Sequence, residues 1–302
     1  MPQLRRLAGF PTAATDLTAT VPRQLVHRAA LAETFLTGWR RTGEDRFTVC
    51  AQWPRAHQLH LSPDRSAYET LLVAETVRQC GALLAHTAYG VPLGHRFVLQ
   101  ELRVTTDPAH LAVGLLPAET DLGVRFLRDG RRRSAALRYE VDVRRDGDRV
   151  ATAYVACASL GEPAYRRLRG GRTPATVSPL AVPPGLPAAA VYRTLPEDVV
   201  LAPTRRPDCW QLRADTAHPV FFDHPLDHVP GMLLLEAARQ VACLRGFAPR
   251  PPAAFRAAFH RYAELDRPSW ISVETDEGGR TRVVATQGES AVFECLVDAG
   301  GW

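Results

Sequence analysis

Leu72-Val-Ala-Glu75-Thr-Val-Arg78-Gln79 and Leu233-Leu-Leu-Glu236-Ala-Ala-Arg239-Gln240 are one phrase written twice. Leu, Glu, Arg and Gln recur at a constant offset of 161 residues. A repeat of this kind marks two copies of one structural unit. Leu71, Leu72, Val73, Val77, Cys80, Leu83 and Leu84 surround the first copy. Met232, Leu233, Leu234, Leu235, Val241 and Leu244 surround the second. A helix apolar on nearly every side is a buried helix. Glu and Arg three residues apart share one face of it. Burying a carboxylate and a guanidinium is costly unless they pair or meet a ligand. The pair is therefore either a structural tie between two halves or a site. In a site, the carboxylate would move a proton and the guanidinium would bind an anionic group of substrate. Apolar surroundings would raise the carboxylate pKa, although Arg opposes that shift. Glu75, Glu236, Arg78 and Arg239 are the candidate catalytic residues. Gln79 and Gln240 are candidate substrate-binding neighbours.

Around each helix the order of elements repeats. A mixed lead-in comes first, then the helix, then several strands. The first helix is expected over about Thr70–Tyr89, stopped by Gly90-Val-Pro92. Strands are expected at Phe97–Thr105, Leu111–Leu116, Ser134–Arg144 and Arg149–Leu160, with Asp146-Gly147 as a hairpin turn. The second helix is expected over Gly231–Gly246. Its strands are expected near Ala254–Leu265, Trp270–Thr275, Arg280–Thr286 and Ala291–Val297, with Gly278-Gly279 supplying a turn. Helix followed by antiparallel strands is an α+β pattern. Residues 1–20 read as a tail. Residues 166–190 are rich in Pro, Gly and Ala and read as a linker. The expected units are 21–165 and 191–302.

Bulk numbers agree with two units, since 302 residues exceed one comfortable core. With 46% hydrophobic and 23% charged residues the chain is globular rather than disordered. The net charge of +5 is carried almost wholly by Arg. Guanidinium suits phosphates, carboxylates and acidic partners. No nucleic-acid motif accompanies that charge. Neither a signal peptide nor a membrane span is legible, so a cytoplasmic location is expected. The six cysteines form no C-x-x-C pair, and neither a disulfide framework nor a zinc site is expected.

The second helix has a distinctive approach, Phe221-Phe-Asp-His224-Pro-Leu-Asp-His228-Val-Pro230-Gly231. Pro-Gly before a buried helix places backbone N–H groups where an oxyanion or thioester carbonyl can be held. His224, His228 and Gly231 are therefore candidate substrate-binding residues. The first helix is preceded by Ser66-Ala-Tyr-Glu-Thr70, without His or Pro-Gly. The halves are not equivalent.

DHPLDHVPGMLLLEAARQ resembles the His…Pro-Gly…Glu-Ala-x-x-Gln signature of β-hydroxyacyl-carrier-protein dehydratases, which are hotdog enzymes. Glu236 stands six residues after Pro230, as in that signature. His224 matches its histidine once a two-residue gap is allowed. A longer resemblance spans most of the chain. VHRAALAETFLTGWRRTGEDRFTVCAQWPRAH (26–57), LLVAETVRQCGALLAHTAYGVPLGHRF (71–97) and HPVFFDHPLDHVPGMLLLEAARQ (218–240) are similar to the A-factor synthase (AfsA-like) family. That resemblance implies two fused hotdog domains, each an antiparallel sheet around a long buried helix. It implies an acyltransferase in γ-butyrolactone, butenolide or furan signal biosynthesis. A β-ketoacyl chain would pass from acyl carrier protein to the hydroxyl of dihydroxyacetone phosphate, and the ester would then cyclise. Glu would activate the hydroxyl, and Arg would bind the phosphate or polarise the carbonyl. No Ser or Cys nucleophile stands in a triad setting, so direct transfer is expected. No cofactor or metal is implied. The fused pair would act as a monomeric pseudo-dimer or a homodimer.

Two features compete for roles. His57 and His60 read as satisfied histidines on a strand or loop. The Arg-rich stretch containing Arg125, Arg128, Arg131, Arg132, Arg133, Arg138, Arg144, Arg145 and Arg149 reads as a solvated strand face, with docking of acidic acyl carrier protein as the alternative. The competing functions are a hotdog dehydratase or thioesterase, and a non-catalytic regulatory protein of the same fold.

Overall fold

A computed structural model describes residues 19–127, 136–247, 252–275 and 281–298. The two repeat phrases lie on the buried helices α1 (Thr70–Thr87) and α3 (Gly231–Ala242). Nearly every residue of α1 from Thr70 to His86 is buried. The α-helical part of α3 stops earlier than expected. It continues as a wider turn, Cys243–Phe247, and ends at Gly246 with φ 94°. That left-handed residue is a natural helix stop.

One antiparallel sheet wraps these helices. The first half supplies β1 (Leu36–Gly43), β2 (Arg46–Trp53), β3 (Arg96–Thr106), β4 (Ala118–Phe126), β5 (Ala136–Arg145) and β6 (Asp148–Leu160). The second supplies β7 (Leu201–Pro203), β8 (Cys209–Leu212), β9 (Ala254–Phe259), β10 (Trp270–Thr275), β11 (Thr281–Gln287) and β12 (Ser290–Asp298). The order is β1-β2-β4-β5-β6-β3-β9-β12-β11-β10-β8-β7. Six strands thus stand on each side of the β3–β9 seam, where Arg103 faces Arg256. The two halves repeat one topology about that seam.

The hairpin expected at Asp146-Gly147 is present, with φ of 54° and 92°. Two positive φ values in succession are what a tight hairpin of this twist demands. Other strands differ from expectation. Leu111–Leu116 is not a strand, and Leu115 and Leu116 are exposed. The strand is β4, where Ala118, Thr120, Leu122, Val124 and Phe126 alternate inward. Its Glu, Asp and Gly hide that period in a propensity reading. The strand expected over Ala254–Leu265 ends at Phe259. The Gly278-Gly279 turn, Arg280, Ser134 and most of the tail lie outside the described residues.

The 166–190 segment is partly regular. It begins inside α2 (Glu162–Leu168). Arg169 then binds Asp227 and Glu264 at 2.9 and 2.7 Å. Leu180 N–H donates to Leu265, and Leu186 N–H to Leu201. The segment is a strap tied along the second half. Among the described residues no helix is long and apolar enough to cross a membrane.

Candidate active site

Each buried carboxylate is fixed by two guanidiniums, not one. Glu75 accepts from Arg78 Nε at 2.8 Å and Nη2 at 2.7 Å. It also accepts from Gln79 Nε2 at 2.7 Å and Arg28 Nε at 3.0 Å. Glu236 accepts from Arg239, from Gln240 and, at 2.8 and 2.6 Å, from Arg193. Arg28 and Arg193 lie outside the repeated helix phrase. Their signal is present, since Val26-His-Arg28 recurs as Val191-Tyr-Arg193. That repeat runs at an offset of 165 rather than 161, because β1 and β2 form a longer hairpin than β7 and β8.

The same local fold delivers both arginines. A 3-10 turn, Arg23–Val26 or Ala188–Val191, ends in a left-handed residue, His27 or Tyr192, with φ of 55° and 53°. The kink turns the next side chain inward. Each arginine then crosses to the opposite half. Arg28 Nη1 donates to the Val220 carbonyl at 3.1 Å, and Arg193 Nη1 to the Leu59 carbonyl at 2.8 Å. Gln79 and Gln240 likewise grip the backbone at Glu33–Phe35 and Asp198–Val200. Two equivalent polar knots therefore tie the halves together.

These knots correct the expectation of a raised carboxylate pKa. Burial disfavours the ionised form, but the flanking guanidiniums win. Glu75 is held well below the usual carboxylate range, and Glu236 is lowered to about 2. A carboxylate whose lone pairs already accept from two guanidiniums and an amide is a poor base.

The knots differ in what surrounds them. In the second, Arg239 is fully buried and its Nη1 donates to Cys243 Sγ at 3.3 Å. The Glu69 carboxylate lies 3.8 Å from Arg193 and 3.9 Å from Arg239. In the first, the Arg78 side chain is 28% exposed, so this knot reaches solvent. Its extra carboxylate is Asp223, contributed by the other half. Asp223 Oδ1 lies 3.5 Å from Arg28, and Oδ2 accepts from Ala29 N–H at 2.9 Å. Asp223 Oδ1 also stands 2.6 Å from His224 Nδ1.

A continuous chain therefore runs His224–Asp223–Arg28–Glu75. Asp223 is kept ionised by His224 and Arg28 against the effect of burial. With Nδ1 donating to Asp223, the neutral His224 ring leaves Nε2 as an acceptor. The side chain is 34% exposed and can meet a substrate. His228 has the same local pairing, with Nδ1 2.6 Å from Asp227. It belongs to a different network, in which Asp227 also binds Tyr165 and Arg169 of the strap. Gly231 begins α3 where a Cβ would come within 3.0 Å of Phe259, so close packing accounts for it.

His57 is satisfied as expected. Its Nδ1 accepts from the backbone N–H groups of Leu59 and His60, and its Nε2 faces Glu33 at 3.1 Å. His218 repeats this arrangement on Asp198. His60 departs from expectation, being buried with both ring nitrogens unpartnered among the described residues. Glu33, His57 and His60 have ligand atoms within 4.8 Å of one another. His57 has no lone pair to spare there, since both nitrogens are engaged. On the strand face, Arg125 pairs with Glu140, and Arg144 and Arg149 pair with Asp142. Those three fit the solvated-face reading; Arg131, Arg132 and Arg133 lie outside the described residues.

Comparison with known proteins agrees with this architecture. The family model described as the A-factor biosynthesis hotdog domain matches residues 11–160 and 175–293. A 2-oxo-3-(phosphooxy)propyl 3-oxoalkanoate synthase of Streptomyces virginiae is 48% identical over 94% of this chain and 99% of its own. A protein of the same name from Streptomyces coelicolor is 41% identical over 90% and 89%. Among solved structures, an acyl-ACP thioesterase from Bacteroides thetaiotaomicron has TM-score 0.55 at 12% identity, covering 84% of this chain and 98% of that one. The 12:0-ACP thioesterase of Umbellularia californica has TM-score 0.53 at 12% identity, covering 83% and 96%. At such identities the likeness is one of fold.

Proposed function

The chain belongs to the A-factor biosynthesis hotdog family, and from that premise we propose that it is an acyltransferase. It joins a 3-oxoacyl chain to the hydroxyl of dihydroxyacetone phosphate. The product is a 2-oxo-3-(phosphooxy)propyl 3-oxoalkanoate, the compound for which its relatives are named. The donor is a thioester on acyl carrier protein. The two units, 21–165 and 191–302, act as one pseudo-dimer joined by the strap.

The chemistry is assigned to the first knot. The observation that carries this is the His224–Asp223–Arg28–Glu75 chain, which meets solvent at His224 and Arg78. His224 Nε2 takes the proton of the attacking hydroxyl as its oxygen bonds to the thioester carbonyl carbon. Collapse of the tetrahedral intermediate breaks the C–S bond. The imidazolium returns the proton to the departing sulfur. Asp223 fixes the imidazole tautomer and stabilises its cation. Glu75 positions Arg28 and Arg78 and does not itself take the proton. Glu236, Arg239 and Arg193 hold the opposite half in register, with Gln240 repeating the role of Gln79.

Incubation with a 3-oxoacyl carrier-protein thioester and dihydroxyacetone phosphate, followed by mass spectrometry, tests this. The phosphorylated ester is the expected product. Free acid or an enoyl thioester instead would overturn the transferase reading in favour of a thioesterase or dehydratase.

A further inference from the structure

Beside the first knot stands a group of cationic and chargeable side chains that the transfer step does not use. His27 lies within electrostatic reach of Arg78, His86, Arg96 and His224. Its Nε2 lies 2.8 Å from His86 Nε2. His86 Nδ1 faces the Val91 carbonyl at 2.7 Å and must donate to it. A neutral His86 therefore presents a lone pair at Nε2, and the Nε2 proton belongs to His27. A neutral His27 thus keeps its Nδ1 as a second, unspent position. The rings are braced against Phe97, at 5.1 and 5.4 Å.

The arginines are equally unspent. Arg78 uses Nε and Nη2 on Glu75 and the Val26 carbonyl, while its Nη1 has no partner among the described residues. Arg96 is exposed, stacks 5.8 Å over Tyr165 and has no acidic partner among the described residues. Glu75 and Asp223 pair directly with Arg28 and Arg78, and Glu33 also acts on Arg28, so Arg96 is the guanidinium here that stands without an acidic partner among the described residues. No shortage of acids on the chain explains this, because Arg125, Arg144 and Arg149 on the strand face find them.

Pseudo-symmetry supplies an internal control. At the second knot the place of His27 is taken by Tyr192, and Ala82 is matched by Cys243. Arg239 Nη1 is occupied by that cysteine, and the Glu69 carboxylate lies against both arginines. The second mouth is filled, whereas the first is open at Arg78. A partly exposed guanidinium edge at Arg78, a second guanidinium at Arg96 and an imidazole within their electrostatic reach suit a phosphomonoester dianion, whose oxygens accept several charge-assisted bonds.

We infer that His27, Arg78 and Arg96 form the subsite for the phosphate of the acceptor, with His86 positioning His27. This rests on the proposed transfer at the same mouth. The phosphate then anchors the acceptor beside His224. A neutral His27 is set there by burial and neighbouring cations, which lower it to about 3. A bound dianion reverses the sign of that field and favours proton uptake at Nδ1.

Arg96→Ala is the cleanest variant, because the side chain is exposed and makes no ion pair among the described residues. Kinetics with dihydroxyacetone phosphate and with unphosphorylated dihydroxyacetone separate phosphate binding from chemistry. Loss of one charged contact should raise KM for the phosphorylated acceptor about tenfold or more, with KM for the thioester unchanged within about twofold. His27→Gln should do the same. With dihydroxyacetone the variants should lose far less. Equal losses with both acceptors, or an unchanged KM for dihydroxyacetone phosphate, would overturn the subsite while leaving the transferase standing. Calorimetric binding of glycerol 3-phosphate needs no turnover. Binding by the wild type that Arg96→Ala weakens about tenfold supports the subsite even if no ester forms. Equal binding by both proteins counts against it.

Discussion

At the residue scale, the decisive fact is that Glu75 and Glu236 are ionised and saturated, so they are structural anions before they are anything else. Their stability has a pH signature. Glu236 sits at about 2 against an ordinary 4.5. Its contribution is complete above pH 4.5 and is lost as pH falls toward 2, because the unfolded chain binds the proton first. His27 is depressed from 6.5 to about 3. The unfolded histidine protonates below 6.5 while the folded one resists, so stability also falls with pH through that window. Thermal unfolding followed from pH 7 to 3 should show a continuous loss. His27→Gln should make the part between 6.5 and 4.5 shallower, with buried His60, also held well below its ordinary value by burial, supplying slope that remains, and an unchanged slope there would contradict this reading of His27. The residues that complete the knots were legible in principle. Val26-x-Arg28 and Val191-x-Arg193 repeat, but four residues out of phase with the helices, so a fixed-offset comparison passes over them. Asp223 and Arg96 have no repeated partner at all. Only the fold brings Asp223 to the first knot and Arg96 within electrostatic reach of His27.

At the scale of elements, the helices were legible and the lead-in strands were not. α1 announced itself because five turns apolar on nearly every side, broken chiefly by the Glu75–Arg78–Gln79 strip, allow no other placement. β1, β2, β7 and β8 lie in stretches mixed enough to read as irregular, and β4 hides its alternation behind Glu, Asp and Gly. The helix interior carries a second prediction. Gly81 lies within α1, where Ala is ordinarily better by about 1 kcal/mol. A Cβ there would stand 2.1 Å from Tyr139 Oη and 2.5 Å from its ring carbon Cζ. Tyr139 is buried, and its hydroxyl donates to the Val77 carbonyl at 3.2 Å. Gly81→Ala should therefore destabilise by about 1–3 kcal/mol through overpacking, measured by denaturant midpoint. A gain in stability would mean that Tyr139 and α1 are less tightly fixed than described.

At the scale of the whole molecule, duplication built two equivalent knots and divergence made them unequal. Each knot draws a carboxylate and a carbonyl from the opposite half, so neither half is complete alone. The first opens to solvent beside unspent cations, while the second is sealed with Cys243 and Glu69. The sequence already broke this symmetry at Asp223-His224 and Asp227-His228, two look-alike pairs four residues apart. It did not say which pair faces which knot. The fold sends Asp223 to Arg28 and Glu75, and Asp227 to Arg169 on the strap.

That division is tested most directly by kcat for the transfer in His224→Gln and His228→Gln proteins, each checked for native unfolding temperature. Loss of the proton-transfer group should lower kcat by about 10²–10⁴-fold in His224→Gln, with His228→Gln losing less than about tenfold. Equal losses, or the larger loss in His228→Gln, would contradict the placement of the chemistry at the first knot.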